Sequence, residues 1–223
     1  MRFTPLGDTA VTVELGPEIN AATLAPVRAL ALSLEAEPLP GVVDVVAAYN
    51  TVTVFYELPQ ARGYDALCVA IEKRMQGLKV VSIKSGRVIT VPVCYGGEFG
   101  PDLEMVAAHA GMKEKAMIAL HSAARYLVQA VGFTPGFAYL GGLPTKLHTP
   151  RLATPRTLVP AGSVGIGGGQ TGVYPLASPG GWNLIGRTPL KLFQPAAREP
   201  ALLRVGDRVK FKAITAEEFA AWK

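Results

Sequence analysis

The chain has 223 residues, of which 49% are hydrophobic and only 17% are charged. This composition supplies enough apolar surface for a packed core, which excludes a disordered chain, and the length allows up to two domains. The net charge is +5, but the 22 lysines and arginines are scattered and form no dense basic face interleaved with aromatic residues, so we expect no nucleic-acid partner.

The N-terminal part of the chain alternates between strand and helix patterns. The segment AVTVEL, residues 10–15, alternates as a half-buried strand does, and apolar residues recur at helical spacing over about residues 19–35. The runs VVDVVAAY and TVTVFYE predict two more strands, and YDALCVAIEKRM, residues 64–75, predicts a second helix. These elements predict a small α+β domain with two helices on one face of an antiparallel sheet.

A short basic stretch with two glycines, residues 77–87, separates this domain from a region of different texture. We therefore predict one domain over residues 1–84 and a second over residues 85–223. The second begins with the strand RVITVPVCY and two helices, residues 102–110 and 113–123. Short strands punctuated by Gly and Pro then predict a closed, largely antiparallel barrel or sandwich. These predicted strands are RYLVQAV, TLVPAG, SVGIGG, TGVYPL, NLIG, LKLF and DRVKFKAI.

Two short motifs in the glycine-rich part of the barrel region resemble catalytic or nucleotide-binding signatures. GGGQTG, residues 167–172, matches a dinucleotide fingerprint, but Pro175 and Pro179 follow where that motif requires a helix, so we reject this interpretation. The sequence AGSVG around Ser163 resembles a nucleophile elbow, which needs a strand-to-helix turn that is not predicted here. Ser163 is therefore either a turn residue or a pocket nucleophile.

The acidic residues and histidines near the start of the barrel region offer candidate acid–base groups. His121 ends a helix just before the first barrel strand, and Glu98 lies on a glycine-rich loop. Asp102, after Pro101, suits a helix N-terminus, where an acidic residue offsets the helix dipole. The three histidines show no metal-ligand spacing, so we predict no metal. A purely structural His121 and a partner-contacting Glu98 stay open as alternatives.

The segment GFTPGFAYLGGLP, residues 132–144, alternates aromatic residues with turn residues. Phe137 and Tyr139 form either a hydrophobic plug or an aromatic wall for a small planar ligand or a partner chain. Arg151 and Arg156, in TPRLATPR, could hold a carboxylate or a phosphate bidentately, or face solvent.

Polar side chains of the glycine-rich strands are expected to converge at one mouth of the barrel. These are Gln170, Thr171, Trp182 and Arg187, the last of which we select as a catalytic candidate beside the two acid–base groups above. The glycines among them would allow close approach of the backbone.

The N-terminal segment and the pattern of the cysteines predict a cytoplasmic protein. The segment MRFTPLGDTA lacks the apolar part of a secretory signal, and no apolar run approaches the ~18 residues of a membrane span, so we expect no membrane association. Cys68 and Cys94 belong to no C-x-x-C or metal-ligand pattern, and we interpret them as free thiols in a reducing compartment.

Four segments, in order and spacing, resemble the KipI family, also known as allophanate hydrolase subunit 1 or as the B subunit (PxpB) of prokaryotic 5-oxoprolinase. They are CYGGEFGPDL, LHSAARYLVQAVGFTPGFAYLGGLP, PRLATPRTLVPAGSVGIGGGQTGVYPLASPGGW and IGRTPLKLF. The segments RFTPLGDTAVTVELG and AAYNTVTVFYE resemble the family's N-terminal module, so the resemblance covers nearly the whole chain. Two positions depart from it: Gly167 stands where Ala is usual, and Asn50-Thr51 replaces a Ser-Leu pair.

The resemblance implies a cyclophilin-like β-barrel after the α+β domain, in a complex that opens 5-oxoproline to glutamate with ATP. The implied partners are the A subunit of that enzyme and its KipA-like C subunit, which is similar to allophanate hydrolase subunit 2. Because the sequence contains no P-loop, kinase signature or acidic metal cluster, we expect the chain to be inactive alone and to supply part of a composite site.

Other functions stay open at this point. The family also implies a regulator that binds and inhibits a sensor histidine kinase, and a component of an allophanate hydrolase or urea carboxylase-type carboxyltransferase. A prolyl isomerase would follow only by analogy from the barrel, and a fold does not determine a function.

Overall fold

The computed structural model describes residues 1–58, 60–78 and 87–222, which divide into two compact units, residues 1–86 and 87–223. The boundary predicted between residues 84 and 85 lies outside the described residues. No described helix is long and apolar enough to cross a membrane.

The N-terminal unit is a four-stranded antiparallel sheet with two helices. The strands, β1 (Arg2–Pro5), β2 (Ala10–Glu14), β3 (Val42–Ala48) and β4 (Thr51–Tyr56), lie in the order β1-β2-β4-β3. The helix α1 (Ala21–Ala36) contacts β3 and β4, and α2 (Tyr64–Gln76) contacts β2. The sequence patterns predict each of these elements except β1, whose residues are mostly exposed.

Periodicity decides which side chains of this unit are buried. Alternate residues of β2 and β4 are fully buried, as expected when one face of a sheet is covered. They are Val11, Val13, Val52 and Val54. In α1 the buried stripe runs from Leu24 to Leu34, and Asn20 caps the helix by accepting a hydrogen bond from the backbone N–H of Thr23.

The C-terminal unit is a closed barrel of seven strands. In barrel order they are β6 (Tyr126–Val131), β13 (Arg208–Ile214), β5 (Val88–Tyr95), β12 (Asn183–Arg187), β9 (Ser163–Gly167), β10 (Gln170–Val173) and β7 (Ala138–Gly141). Pairing of β7 with β6 closes the barrel, and every pairing is antiparallel except that of β13 with β5. This confirms the predicted fold class, an α+β domain followed by a mainly β, cyclophilin-like barrel.

Three helices and a small sheet complete this unit. The helices α3 (Leu103–His109) and α4 (Glu114–Ala123) contact β12 and β13 respectively, and α5 (Ala216–Ala220) follows the last strand. The strands β8 (Arg156–Val159) and β11 (Ser178–Gly180) pair with each other outside the barrel.

Some predicted boundaries and elements in this unit were wrong. The segment LKLF, predicted as a strand, belongs to no strand; Leu192 instead packs into the barrel core from a loop. Conversely, β7 lies inside the segment GFTPGFAYLGGLP, for which we predicted no strand, and neither β11 nor α5 was predicted. A buried side chain on an irregular segment produces the same apolar pattern as a short strand, which explains the error at LKLF.

Candidate functional site

A cleft of about 430 Å³ opens on the C-terminal unit, and five aromatic rings line it. The rings are those of Phe133, Phe137, Tyr139, Tyr174 and Trp182. The centroid of Phe137 lies 4.9 Å from that of Tyr139, 5.1 Å from that of Tyr174 and 5.5 Å from that of Trp182, each pair edge to face. Such contacts are favourable and fix the ring planes. The cleft is therefore a preformed apolar pocket of a size typical for small ligands.

Glycines in the neighbouring strands make room for Trp182. A Cβ atom would come within 3.1 Å of this side chain at Gly165, within 2.5 Å at Gly167 and within 3.0 Å at Gly172. The ring therefore lies directly against the backbone of β9 and β10. This packing explains why the segment is rich in glycine without forming a nucleotide fingerprint. It also means that Ala at position 167, usual in the family, would require Trp182 to move.

Arg151 is the one cationic residue among those that line the cleft. Its guanidinium carbon lies 6.0 Å from the centroid of the Trp182 ring, close enough for a cation–π contact. The side chain forms no ion pair with any described residue. Its charge is therefore available to an anionic ligand.

The lip of the cleft carries two unusual groups. Phe133 has a φ angle of 69°, which non-glycine residues rarely adopt, and its side chain is 63% exposed. Strained residues of this kind gather at functional sites. The hydroxyl of Thr134, next to it, is buried without a hydrogen-bond partner among the described residues. Both residues line the cleft.

Arg156 does not line the cleft, and its charge is already paired. It donates a hydrogen bond of 2.7 Å to one carboxylate oxygen of Asp102, whose other oxygen accepts from the backbone N–H of Leu184. Asp102 does precede α3, but its side chain makes no capping hydrogen bond. Its predicted position at a helix N-terminus is therefore confirmed, although its carboxylate binds Arg156 and the Leu184 N–H and not the N–H groups of the first turn. The pair links the start of α3 to β8 and β12.

His121 lies inside the barrel and is fully buried. Its Nδ1 is 2.8 Å from the hydroxyl of Tyr95 on β5, and its Nε2 is 3.1 Å from the hydroxyl of Thr171 on β10. The Thr171 hydroxyl donates to the carbonyl of Gly165, so it must accept from Nε2–H, and Nδ1 accepts from Tyr95. Since β5 and β10 lie on opposite walls of the barrel, the imidazole bridges them.

Electrostatics agree with a neutral imidazole at this position. Burial lowers the pKa of His121 from 6.5 to about 3. Burial also raises the pKa of Tyr95 well above its ordinary value, so its hydroxyl stays a donor. The ring of His121 stacks on that of Phe211 at 4.6 Å. This geometry supports the structural alternative for His121, because the residue does not line the cleft.

Four further candidates from the sequence also lie away from the cleft. Ser163 is 2% exposed at the start of β9, and no helix follows that strand. Gln170 donates to the side chain of Gln129, and Arg187 donates through Nε to the carbonyl of Ala161. Glu98 is exposed in a short 3₁₀ turn.

The structure thus brings together only part of the predicted set. Phe137, Tyr139, Arg151 and Trp182 line the cleft. The predicted convergence of Gln170 and Thr171 at one mouth fails because neighbours on a strand face opposite sides. Sequence reasoning missed Thr134, Tyr174 and Ser178. Strand alternation offers a signal for Tyr174, which lies two residues beyond Gly172, on the same face.

The lining of the cleft does not fit the phosphates of ATP. A triphosphate needs several cationic or backbone donors, whereas the lining presents a single guanidinium. Among the described residues, moreover, no three of the types His, Cys, Asp and Glu gather as a metal site. A nucleotide would therefore need further cationic phosphate ligands from outside this cleft.

Comparison with known proteins places the chain in a family. The family model "Carboxyltransferase domain, subdomain C and D" matches residues 1–203. The chain is 50% identical to the 5-oxoprolinase B subunit of Escherichia coli O157:H7 over 92% of this chain and 93% of that protein. It is 42% identical to the 5-oxoprolinase B subunit of Bacillus subtilis (strain 168) over 98% of this chain and 95% of that protein.

Solved structures share the fold. The chain superposes on TTHA0988 with a TM-score of 0.81 and 36% identity, over 93% of this chain but only 40% of that longer chain. It superposes on the urea carboxylase of Kluyveromyces lactis with a TM-score of 0.77 and 19% identity, over 98% of this chain and 22% of that one. The second likeness concerns the fold alone. Taken with the close relatives above, these findings show that the chain belongs to the KipI family of 5-oxoprolinase B subunits.

Proposed function

We propose that the chain is the B subunit of an ATP-dependent 5-oxoprolinase, which hydrolyses 5-oxoproline to glutamate together with A and C subunits. The observation that carries this proposal is the 50% identity to a 5-oxoprolinase B subunit over nearly the whole of both chains. The preformed cleft supports it, because an apolar pocket with one cationic group suits a small organic acid.

The chemistry of the cleft favours a composite site. Hydrolysis of an unstrained lactam is difficult, and ATP would supply the driving force by phosphorylating the amide oxygen. That reaction needs stabilisation of phosphoryl charge and a positioned water. The residues that line the cleft include no His, Asp, Glu, Lys or Cys, and burial raises the pKa of Tyr174, so the lining lacks a ready general base at neutral pH. We therefore assign binding and orientation of the substrate to this chain, and the missing groups to its partners.

The greater length of one relative also supports a partner chain for this protein. In TTHA0988 the counterpart of this chain occupies 40% of a single longer chain, so that relative carries the module joined to additional polypeptide. We propose that the KipA-like C subunit is the direct partner here, that the A subunit completes the complex, and that the complex is cytoplasmic. No described residue specifically favours the kinase-inhibitor or the carboxyltransferase alternative.

Reconstitution tests the proposal. The chain is purified with its two partner proteins, and glutamate formation and 5-oxoproline-dependent ATP hydrolysis are measured for each combination of the three. We expect both activities only when all three proteins are present, and none from this chain alone. A complex that assembles fully but forms no glutamate would refute the proposed function, and turnover by the single chain would refute the composite site.

A further inference from the structure

We infer that the aromatic cleft is the site for the ring acid itself, a small lactam that carries one carboxylate, and that the nucleotide binds elsewhere in the complex. This inference rests on the proposed function and assigns its substrate to one set of side chains. Every residue that lines the cleft belongs to the C-terminal unit of this chain. The binding step therefore requires no partner.

The charge of the residues that line the cleft indicates which class of ligand it would bind. Arg151 is the only ionised residue of the lining at neutral pH, and it lies over the Trp182 ring without an ion-pair partner among the described residues. A guanidinium binds one carboxylate through two parallel hydrogen bonds. The nearby Arg156 adds no free charge, since Asp102 neutralises it. One unpaired cation matches a monoanion and leaves the several charges of a triphosphate without partners.

The aromatic side chains of the cleft suit a ligand that contains a small ring. The rings of Phe137, Tyr139 and Trp182 meet edge to face, so they offer fixed faces and edges to the methylene groups of a small saturated ring. The amide edge of such a ligand needs a polar group, and the unpartnered hydroxyl of Thr134 lies in the same lining. Thr134 is therefore the candidate hydrogen-bond partner for that edge.

The exposed lip explains how catalysis could follow binding. Phe133 is largely exposed at the edge of the cleft, so the bound ligand would stay accessible from outside. The general base that the lining lacks can then be brought by another protein of the complex. An aromatic wall of this kind also suits a proline-containing peptide, but the unpaired Arg151 charge favours the free acid.

Tryptophan fluorescence of the isolated chain tests the inference. The chain has two tryptophans, so Trp222→Phe leaves Trp182 as the sole reporter. This protein is titrated with 5-oxoproline, with its uncharged carboxamide and with ATP. We expect saturable quenching by the acid, binding of the carboxamide that is weaker by about tenfold or more, and no saturable change with ATP.

Variants at the charged residue sharpen this test. Arg151→Met should weaken binding of 5-oxoproline by about tenfold or more, and Arg151→Lys by less, because lysine keeps the charge but loses the planar fork. Arg198→Met, at an exposed arginine that does not line the cleft, should bind as the parent protein does. Because Arg151 is exposed, its variants are expected to fold, which circular dichroism verifies.

Each contrary result has a distinct meaning. Equal binding of acid and carboxamide, or unchanged binding by Arg151→Met, would overturn recognition by charge. Failure of the acid to bind, with saturable binding of a proline-containing peptide, would make the cleft a peptide groove. If the chain binds the acid but the three-protein complex forms no glutamate, the proposed function fails while the binding site stands. If the three-protein complex is active but this chain alone does not bind the acid, the binding site fails while the proposed function stands.

Discussion

His121 should make the stability of the barrel depend on pH. In the folded protein, burial holds the pKa of this imidazole near 3, whereas the unfolded chain titrates near 6.5. Below pH 6.5 the unfolded state therefore binds a proton that the folded state does not, and stability falls as the pH falls. The loss continues until the folded state is also protonated, near pH 3.

The size of the effect follows from the two pKa values. At about 1.4 kcal/mol for each pH unit below the unfolded pKa, lowering the pH from about 7.5 to about 5 should cost about 2 kcal/mol of unfolding free energy through His121. The variant His121→Gln cannot titrate, so it should lack this contribution. It should also be less stable at both pH values by about 1–3 kcal/mol, because the hydroxyls of Tyr95 and Thr171 lose part of their hydrogen bonding.

Urea unfolding at the two pH values measures this contribution. Trp182 and Trp222 both lie in the C-terminal unit, so tryptophan fluorescence reports on that unit. The difference in unfolding free energy between the two pH values should be about 2 kcal/mol smaller in His121→Gln than in the wild type. His109→Gln, at an exposed histidine, is the control and should keep the wild-type difference. An identical pH difference in His121→Gln and wild type would refute the argument.

Two other substitutions test the surroundings of the cleft. Arg156→Met should lower the unfolding free energy by about 2–3 kcal/mol in urea denaturation, because the partly buried carboxylate of Asp102 loses its cation; an unchanged value would show that the pair contributes nothing. Gly167→Ala should shift the fluorescence of Trp182, since its Cβ would come within 2.5 Å of the indole and the ring would have to move. Gly132→Ala, where a Cβ meets nothing within 4 Å, is its control, and equal behaviour of the two variants would contradict the packing argument.

Local patterns predicted most of the fold because the barrel strands are short and most of them lie beside Gly or Pro. The strand β7 (Ala138–Gly141) was not predicted, because its four residues lie in a segment whose Gly and Pro residues favour turns. The last helix, α5, could have been found: Thr215 and Glu218 form a capping box, which is visible in the sequence as Thr and Glu three residues apart.

The site was only partly predictable because periodicity gives the face of a residue but not its partner. Aromatic residues and Arg151 were selected by chemistry, and the structure places them together. Arg156 and Asp102 are 54 residues apart in the chain, and His121 and Thr171 are 50 apart. Only the closed barrel brings these groups into contact. For that reason the sequence could not show that Arg156 and His121, two candidates for a binding site, already bind other side chains of the barrel unit.

Steady-state kinetics of the assembled complex test the central claim most directly. The three-protein complex is prepared with this chain as wild type and as Arg151→Met, and KM is measured separately for 5-oxoproline and for ATP. The account predicts that the variant raises KM for 5-oxoproline by about tenfold or more, as expected for loss of a charge-assisted contact, and leaves KM for ATP unchanged. An equal rise in both constants, or no rise in either, would contradict the claim that the cleft of this chain holds the substrate.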